Sequence, residues 1–384
     1  KIMILKNADV FQENGNFLQH DIFINGEYIT DHKPEQTAED STVIDADGLY
    51  AIPGLIDIHF HGCMNRDFCD ADHESIRIIS EYQLNNGITS ILPATMTLGE
   101  EDLCNICRTA YTYKGNTGSE ILGINLEGPF ISESKRGAQD SSFILKPDTA
   151  VFKKFQEAAG GMIKIACIAP EEENGMEFIE ELKDEVILSI AHTAADYETA
   201  VKAFEKGAVH VTHLYNAMPA FHHRFPGVVG AARQNESCFV ELICDGVLLH
   251  PSTINSTFKM FGDNRVIMIS DSVMAAGMPE GSYTLGGQKI TVTGKTATVD
   301  ATGALAGSVS NLMECMCLCV REMGIPLGSA VKAASSNPAK ALRIYDKYGS
   351  ISHGKYADIV LLDRDLNIRK IIFRGKLLDR RRNL

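Results

Sequence analysis

Histidines and carboxylates stand at the ends of short apolar runs in the middle of this chain. His59 and His61 form a His-x-His pair, and Glu127, His192 and His213 each close a later run. Imidazole and carboxylate ligands suit a catalytic zinc site that keeps a position open for water. The pattern predicts a hydrolytic site for a divalent cation, with zinc expected and iron, manganese or cobalt as alternatives.

The His-x-His pair and the glutamate support this prediction for different reasons. Residues i and i+2 of a strand point to the same side, so His59 and His61 can reach one ion. Glu127 ends an apolar run before Gly-Pro, where an ionised side chain is costly to bury unless it is paired or bound to metal. A salt bridge to an arginine is the alternative for Glu127. The set could hold one or two ions.

A further carboxylate, Asp271, closes the last of these runs in the sequence Ile-Ser-Asp-Ser. A carboxylate beside an activated water can take its proton and deliver that proton to a leaving nitrogen. We therefore predict that Asp271 is the catalytic acid and base, with a role as another metal ligand as the alternative.

The runs that carry these residues alternate with helical patterns, as in βα units around a parallel sheet. Eight units are enough to close a (β/α)8 TIM barrel, where catalytic groups lie at the C-terminal ends of different strands. Continuous apolar runs are typical of strands that are buried on both faces. The runs span residues 55–61, 89–95, 121–127, 163–170, 186–192, 210–213, 239–245 and 266–271.

Both ends of the chain have a different character, with short alternating strands and turn signals. We expect residues 1–53 and 346–384 to pair into one small β-sandwich domain, while residues 54–345 form the barrel. After Asp271 a glycine-rich stretch predicts a hairpin pair, and a final helix is expected from about Asn311 to Met323. The predicted fold class is therefore α/β.

Composition limits the partners of the protein. The 384 residues carry a net charge of −14, which argues against nucleic acid and anionic membranes because phosphate backbones need basic patches. No window approaches the roughly 20 apolar residues of a membrane span. Many of the ten cysteines lie in apolar segments, as reduced cysteines do, and we expect a cytoplasmic protein. An anionic ligand would need a local cation such as Arg224, for which a surface position is the alternative.

The chain resembles the N-acetylglucosamine-6-phosphate deacetylases of the amidohydrolase superfamily over nearly its full length. The sequence Thr-His-Leu-Tyr-Asn-Ala-Met-Pro, followed by Arg-x-Pro-Gly, is specific to these enzymes. The matching stretches are PGLIDIHFHG, LEGPFIS with KRGAQ, AHTAADYETA, THLYNAMPAFHHRFPG, SDSVMAAGMPEGSYTLGG, GALAGS and ASSNPAKALRI with GKYADIVLLD.

The resemblance implies roles for individual residues. Glu127, His192 and His213 would bind the main metal, Asp271 would be the acid and base, and Arg224 would reach the neighbouring site of a homodimer. A sugar phosphate would be held by Ala138, Gln139, Asn216, Ala217, Arg224, Leu305, Ala306 and Gly307.

Four positions depart from the family, namely Leu248, Phe225, Ser272 and Ser310. Leu248 stands where a substrate-contacting histidine is usual, and His250 would face the same way if the backbone there is extended. The expected activity is removal of acetate from N-acetylglucosamine 6-phosphate in amino sugar catabolism. Alternatives are an N-acetylgalactosamine 6-phosphate deacetylase, another N-acyl or cyclic-amide hydrolase, and a non-catalytic paralogue that binds sugar phosphate.

Overall fold

The computed structural model describes residues 2–32 and 41–379. Residues 1, 33–40 and 380–384 of the predicted terminal domain lie outside the described residues. The first five strands precede the barrel and belong to one sheet. They are β1 (Ile2–Phe11), β2 (Phe17–Asn25), β3 (Tyr28–Thr30), β4 (Ser41–Asp45) and β5 (Tyr50–Pro53).

Parallel strands form the predicted barrel. The first is β6 (Leu55–Asp57), followed by a small hairpin of β7 (Gly62–Cys63) and β8 (Arg66–Asp67). The remaining barrel strands pair in parallel. They are β9 (Ile88–Ile91), β10 (Glu120–Ile121), β11 (Ile124–Leu126), β12 (Ile163–Ile168), β13 (Ile187–Ile190), β14 (His210–Val211), β15 (Phe239–Ile243) and β16 (Val266–Ile269).

Backbone hydrogen bonds beyond the strand ends close this barrel at its C-terminal rim. The N–H of Asp271 donates to the carbonyl of His59 at 2.9 Å, and the N–H of His61 donates to the carbonyl of Ser272 at 2.7 Å. These bonds join the last strand to the first. They also place the His-x-His pair beside Asp271, although the two segments lie far apart in sequence.

Helices connect the strands, and among the described residues no helix is long and apolar enough to cross a membrane. The predicted final helix is α8, whose first turn is closed by a capping box between Asn311 and Glu314. A π turn at 332–336 joins α9 to α10. The helices are α1 (His73–Asn85), α2 (Glu100–Thr112), α3 (Thr149–Ala158), α4 (Gly175–Leu182), α5 (Tyr197–Lys206), α6 (Gly227–Gln234), α7 (Pro251–Phe261), α8 (Leu312–Glu322), α9 (Leu327–Val331) and α10 (Asn337–Ala341).

The glycine-rich excursion after the last barrel strand forms its own antiparallel sheet. It consists of β17 (Gly281–Leu285), β18 (Gln288–Thr293) and β19 (Thr296–Val299). The predicted hairpin pair is therefore present, and its three strands pack around a small apolar core.

Both chain termini share one sheet, as the sequence predicted. The last strands are β20 (Ile359–Leu362), β21 (Ile368–Phe373) and β22 (Lys376–Leu377). β20 pairs with β5, which joins the two ends of the chain in a single mixed sheet of eight strands. This sheet has an apolar core of its own, separate from that of the barrel. The boundaries at residues 53 and 346 stay a prediction.

Candidate active site

Three of the predicted ligands meet at the C-terminal mouth of the barrel. The Nε2 atoms of His192 and His213 lie 3.1 Å apart, and each lies within 3.1 Å of Oε1 of Glu127. All three side chains are buried. The three donor atoms converge on one point, as the ligands of a single cation would.

A second group lies on the other side of the same glutamate. Nε2 of His61 is 3.0 Å from Oε2 of Glu127 and 3.3 Å from Oδ1 of Asp271, while Nε2 of His59 is 3.6 Å from that Oδ1. Two potential metal clusters result, namely His59/His61/Asp271 and Glu127/His192/His213. Glu127 contacts both through its two oxygens, so it could bridge two ions.

Local backbone geometry directs three of these side chains into the barrel mouth. His192, His213 and Asp271 each have a positive φ, at 43°, 28° and 46°. Such a conformation is uncommon outside glycine and tends to occur at functional sites where the surrounding structure enforces it. The strands therefore end in tight turns that aim side chains at the cluster.

The hydrogen bonds of the histidines fit a metal centre. Each Nδ1 faces an oxygen that can only accept, so Nδ1 carries a proton and each Nε2 is left to bind a cation in the cluster. Nε2 of His59 is buried without a hydrogen-bond partner. The acceptors are Glu241 Oε2 for His59 at 2.8 Å, the Ala94 carbonyl for His61 at 3.3 Å, the Lys135 carbonyl for His192 at 2.9 Å and the Asn216 carbonyl for His213 at 3.2 Å.

The electrostatics of the protein alone show how strongly this site attracts positive charge. Burial lowers the pKa of His61, but the carboxylates of Asp271 and Glu127 outweigh it and raise that pKa to about 10. Burial likewise opposes ionisation of Glu127, yet His59 and the other histidines hold its pKa well below the usual range. A bound cation would take the place of these protons, because metal ligands must be deprotonated.

Gln139 supports Glu127 directly. Its Oε1 accepts a hydrogen bond from the N–H of Thr97 at 2.7 Å, and its Nε2 donates to Oε2 of Glu127 at 3.2 Å. Gln139 is buried. Gln139 thus fixes the orientation of Glu127 in this structure. The predicted contact of Gln139 with a sugar stays a prediction.

Other residues with predicted substrate roles lie at the end of the glycine-rich excursion or pack against it. The carbonyl of Ala138 accepts a hydrogen bond from Nε2 of Gln288 in the excursion, while Ala306 is buried and Leu305 is exposed. Gly307 has a φ of +62°, and a Cβ there would lie 2.5 Å from the carbonyl oxygen of Asp271. Only glycine fits so close to the proposed catalytic residue.

Asn216 and Ala217 lie next to the first cluster. Asn216 accepts from His213 through its carbonyl, and its own Nδ2 is buried without a hydrogen-bond partner. The carbonyl of Ala217 accepts from the N–H of Thr193 at 3.1 Å. The unpaired amide of Asn216 is available to donate to a ligand.

Arg224 lies on an exposed segment before α6 and contacts none of the cluster residues. Its Nη1 is 2.8 Å from Nε2 of His223, and no described carboxylate forms an ion pair with it. The neighbouring Phe225 is 71% exposed and stacks on His222. Within one chain, this guanidinium therefore faces outward.

The prediction that His250 faces the site required an extended backbone up to that residue, but the chain bends over residues 245–249. The N–H groups of Val247 and Leu248 both donate to Oδ1 of Asp245 at 3.0 Å, which bends the chain. His250 is exposed and caps α7 by accepting from the N–H of Ser252. Leu248 is half-buried against apolar residues at the barrel interior.

Glu241 is a residue that the sequence reasoning missed. Its Oε2 contacts Nδ1 of His59, and its side chain is fully buried on β15. Its position in Phe-Val-Glu-Leu-Ile, a charge inside an otherwise apolar strand, was the available signal, because such a charge needs a specific partner.

Comparison with known proteins agrees with this geometry. The amidohydrolase family matches residues 50–378. The chain belongs to this family. It is 38% identical over 355 residues to N-acetylglucosamine-6-phosphate deacetylase of Bacillus subtilis, covering 91% of this chain and 89% of that protein. It is 31% identical to N-acetylgalactosamine-6-phosphate deacetylase of Escherichia coli O157:H7, covering 88% and 89%.

A solved structure extends the likeness of this amidohydrolase to three dimensions. A mutant N-acetyl-D-glucosamine-6-phosphate deacetylase from Mycobacterium smegmatis, in complex with N-acetyl-D-glucosamine 6-phosphate, superposes with a TM-score of 0.89 at 28% identity. The match covers 98% of this chain and 99% of that one. The barrel and the terminal sheet are therefore those of a metal-dependent amide hydrolase.

Proposed function

We propose that this amidohydrolase removes the acetyl group of N-acetylglucosamine 6-phosphate, giving glucosamine 6-phosphate and acetate. The observation that carries the proposal is the convergence of four Nε2 atoms with Glu127 and Asp271 at the barrel mouth. The curated relative from Bacillus subtilis and the complex from Mycobacterium smegmatis support this substrate. Amino sugar catabolism is the context that such a reaction serves.

The proposed resident cations are zinc, one or two per chain. Glu127, His192 and His213 would hold the first, and His59 and His61 the second, with Asp271 next to these two histidines. Nitrogen and carboxylate donors suit zinc, although iron, manganese or cobalt accept the same ligands. When bound there, such a cation would polarise the amide carbonyl and lower the pKa of water.

Asp271 moves the proton in the proposed reaction. Its Oδ1 lies next to the Nε2 atoms of His59 and His61, and its side chain keeps 11% exposure toward the barrel mouth. It accepts the proton of the attacking water and delivers it to the amide nitrogen as the C–N bond breaks. The hydrogen bond between Asp271 and His59 backbone atoms keeps the carboxylate in reach of both tasks.

The phosphate of the substrate would be held by local donors, because the chain as a whole is acidic. Nδ2 of Asn216 is unpaired near the first cluster, and the exposed guanidinium of Arg224 has no carboxylate partner among the described residues. Since Arg224 faces outward, we infer a homodimer in which it enters the neighbouring site. The exposed rings of Phe221 and Phe225 beside it suit such an interface.

The proposed location is the cytoplasm, with no nucleic acid or membrane partner. All ten cysteines are free, which suits a reducing compartment.

Acetate release from matched sugars tests the proposal. Purified protein loaded with zinc is assayed with N-acetylglucosamine 6-phosphate, N-acetylgalactosamine 6-phosphate and unphosphorylated N-acetylglucosamine. We expect the first to be the best substrate and the last to be poor. Preference for the galactosamine epimer would support the second candidate, which the relative from Escherichia coli favours. No acetate from any sugar would refute the assignment.

A further inference from the structure

Glu241 contacts one residue of each cluster and has no role in the proposed reaction. It has no exposed surface and shares the barrel-facing side of β15 with Ile243. Its Oε2 accepts a hydrogen bond from Nδ1 of His59 at 2.8 Å and from the backbone N–H of His213 at 3.2 Å. One carboxylate oxygen therefore contacts one residue of each cluster, through a side chain in one case and the backbone in the other.

The other oxygen of Glu241 faces a second buried histidine. Oε1 lies 3.7 Å from Nε2 of His210, and neither atom has a hydrogen-bond partner. Nδ1 of His210 lies 2.8 Å from the hydroxyl of Ser189. Burial lowers the pKa of His210 despite the nearby carboxylate, which favours the neutral imidazole. His210 therefore does not offset the charge of Glu241.

An ionised carboxylate inside a barrel is expensive unless a positive charge compensates it. No described lysine or arginine pairs with Glu241, and the group that it touches most closely is the imidazole of His59. Carboxylate–histidine–metal arrangements of this kind fix the tautomer and orientation of a ligand and increase its basicity.

We propose that Glu241 is a positioning residue for the His59/His61/Asp271 cluster. It holds the proton of His59 on Nδ1, points the Nε2 lone pair into the cluster, and contributes negative charge that favours a second cation there. Its Oε2 contacts the imidazole of His59 but only the backbone N–H of His213, so we expect the larger effect on the second cluster. This inference rests on the metal centre of the proposed function.

Two substitutions separate the hydrogen bond of Glu241 from its charge. Glu241→Met has a similar length and removes both, whereas Glu241→Gln removes the charge and keeps an oxygen that can accept from His59. Asp358→Asn is the matched control, because Asp358 is also a buried carboxylate but lies in the terminal sheet. Loss of a partner behind a metal ligand typically weakens metal binding about 10–100-fold.

The test is titration of metal-free full-length protein with Co²⁺ and with Zn²⁺, monitored by calorimetry, visible absorption and metal analysis after desalting. Unmodified protein and the Asp358→Asn control should bind two ions. Glu241→Met should keep the first ion and bind the second about 10–100-fold more weakly, with loss of the second set of cobalt bands. The affinity of Glu241→Gln for the second ion should lie between those of the unmodified protein and Glu241→Met.

Several outcomes would overturn the inference. One is that a folded Glu241→Met protein binds both ions with unchanged affinity, and another is that its affinity for both ions falls equally. A third is that the unmodified protein releases acetate while it binds a single ion. If Glu241→Met does not fold, as circular dichroism would show, Glu241→Gln decides by the same criteria. Failure of the unmodified protein to bind metal or release acetate would refute the proposed function itself, so the two failures are distinguishable.

Discussion

Gly307→Ala is expected to reduce turnover by moving Asp271 without touching its side chain. The added Cβ would lie 2.5 Å from the carbonyl oxygen of Asp271 and 2.9 Å from Cγ1 of Val273. Ordinary contacts are near 3.5–4.0 Å, so the two segments must separate by about 1 Å. The φ of +62° at residue 307 adds a cost of roughly 1–2 kcal/mol for any residue with a side chain.

A displacement of about 1 Å at a catalytic group can cost roughly 10²-fold in rate. We therefore expect Gly307→Ala to lower kcat for acetate release by about that factor. Gly294→Ala is the matched control, because Gly294 has a φ of +60° in the same excursion, while no described atom lies within 4 Å of the Cβ that alanine would add. It should lose similar backbone stability in a thermal melt and keep its kcat. Equal kcat values for the two variants would refute the argument that Gly307 sets the position of Asp271.

Four further substitutions test separate parts of the site and the fold. His213→Ala should remove the first ion in metal analysis together with most turnover, and a fully active, metal-replete variant would contradict the ligand assignment. Asp271→Asn should retain metal by the same analysis but lower kcat by about 10²–10⁴-fold, the range for acid–base catalysis; loss of metal would make it a ligand instead. Arg224→Ala should weaken binding of the phosphorylated sugar about 10- to 150-fold, as loss of a charge-assisted contact of about 1.5–3 kcal/mol does, and leave the plain sugar unaffected in inhibition assays. Burial raises the pKa of Asp358 to about 6, so its contribution to stability is greatest at low pH and falls as the pH rises from about 4 to about 6; chemical denaturation at both pH values should show a loss of roughly 2 kcal/mol that Asp358→Asn lacks.

The parts of the fold that depend on periodicity were predictable from the sequence. Continuous apolar runs predicted the buried parallel strands, and the residues that close them, such as Glu127 and His192, lie where barrel geometry places strand ends. The pairing of both termini followed from alternating strands that could not form a core alone. The sequence did not predict the extent of the single mixed sheet, because long-range contacts decide which strands pair.

The hydrogen-bond partners of the predicted metal ligands could not be predicted from the sequence. The acceptors for His61, His192 and His213 are backbone carbonyls, which every residue has and no sequence motif reveals. His250 was misplaced because Asp245 bends the chain through its side chain, an interaction that alternation alone does not predict. Glu241 is visible in the sequence as a charge within an apolar strand, but only the structure shows that its partner is His59.

Anomalous X-ray diffraction at the zinc absorption edge, from crystals of the zinc-loaded protein, would locate the ions at the barrel mouth. We expect one peak in contact with Glu127 Oε1 and the Nε2 atoms of His192 and His213. A second peak should lie between the Nε2 atoms of His59 and His61, within reach of Asp271. Zinc bound through Nδ1 of these histidines, or peaks only outside the barrel mouth, would contradict the account.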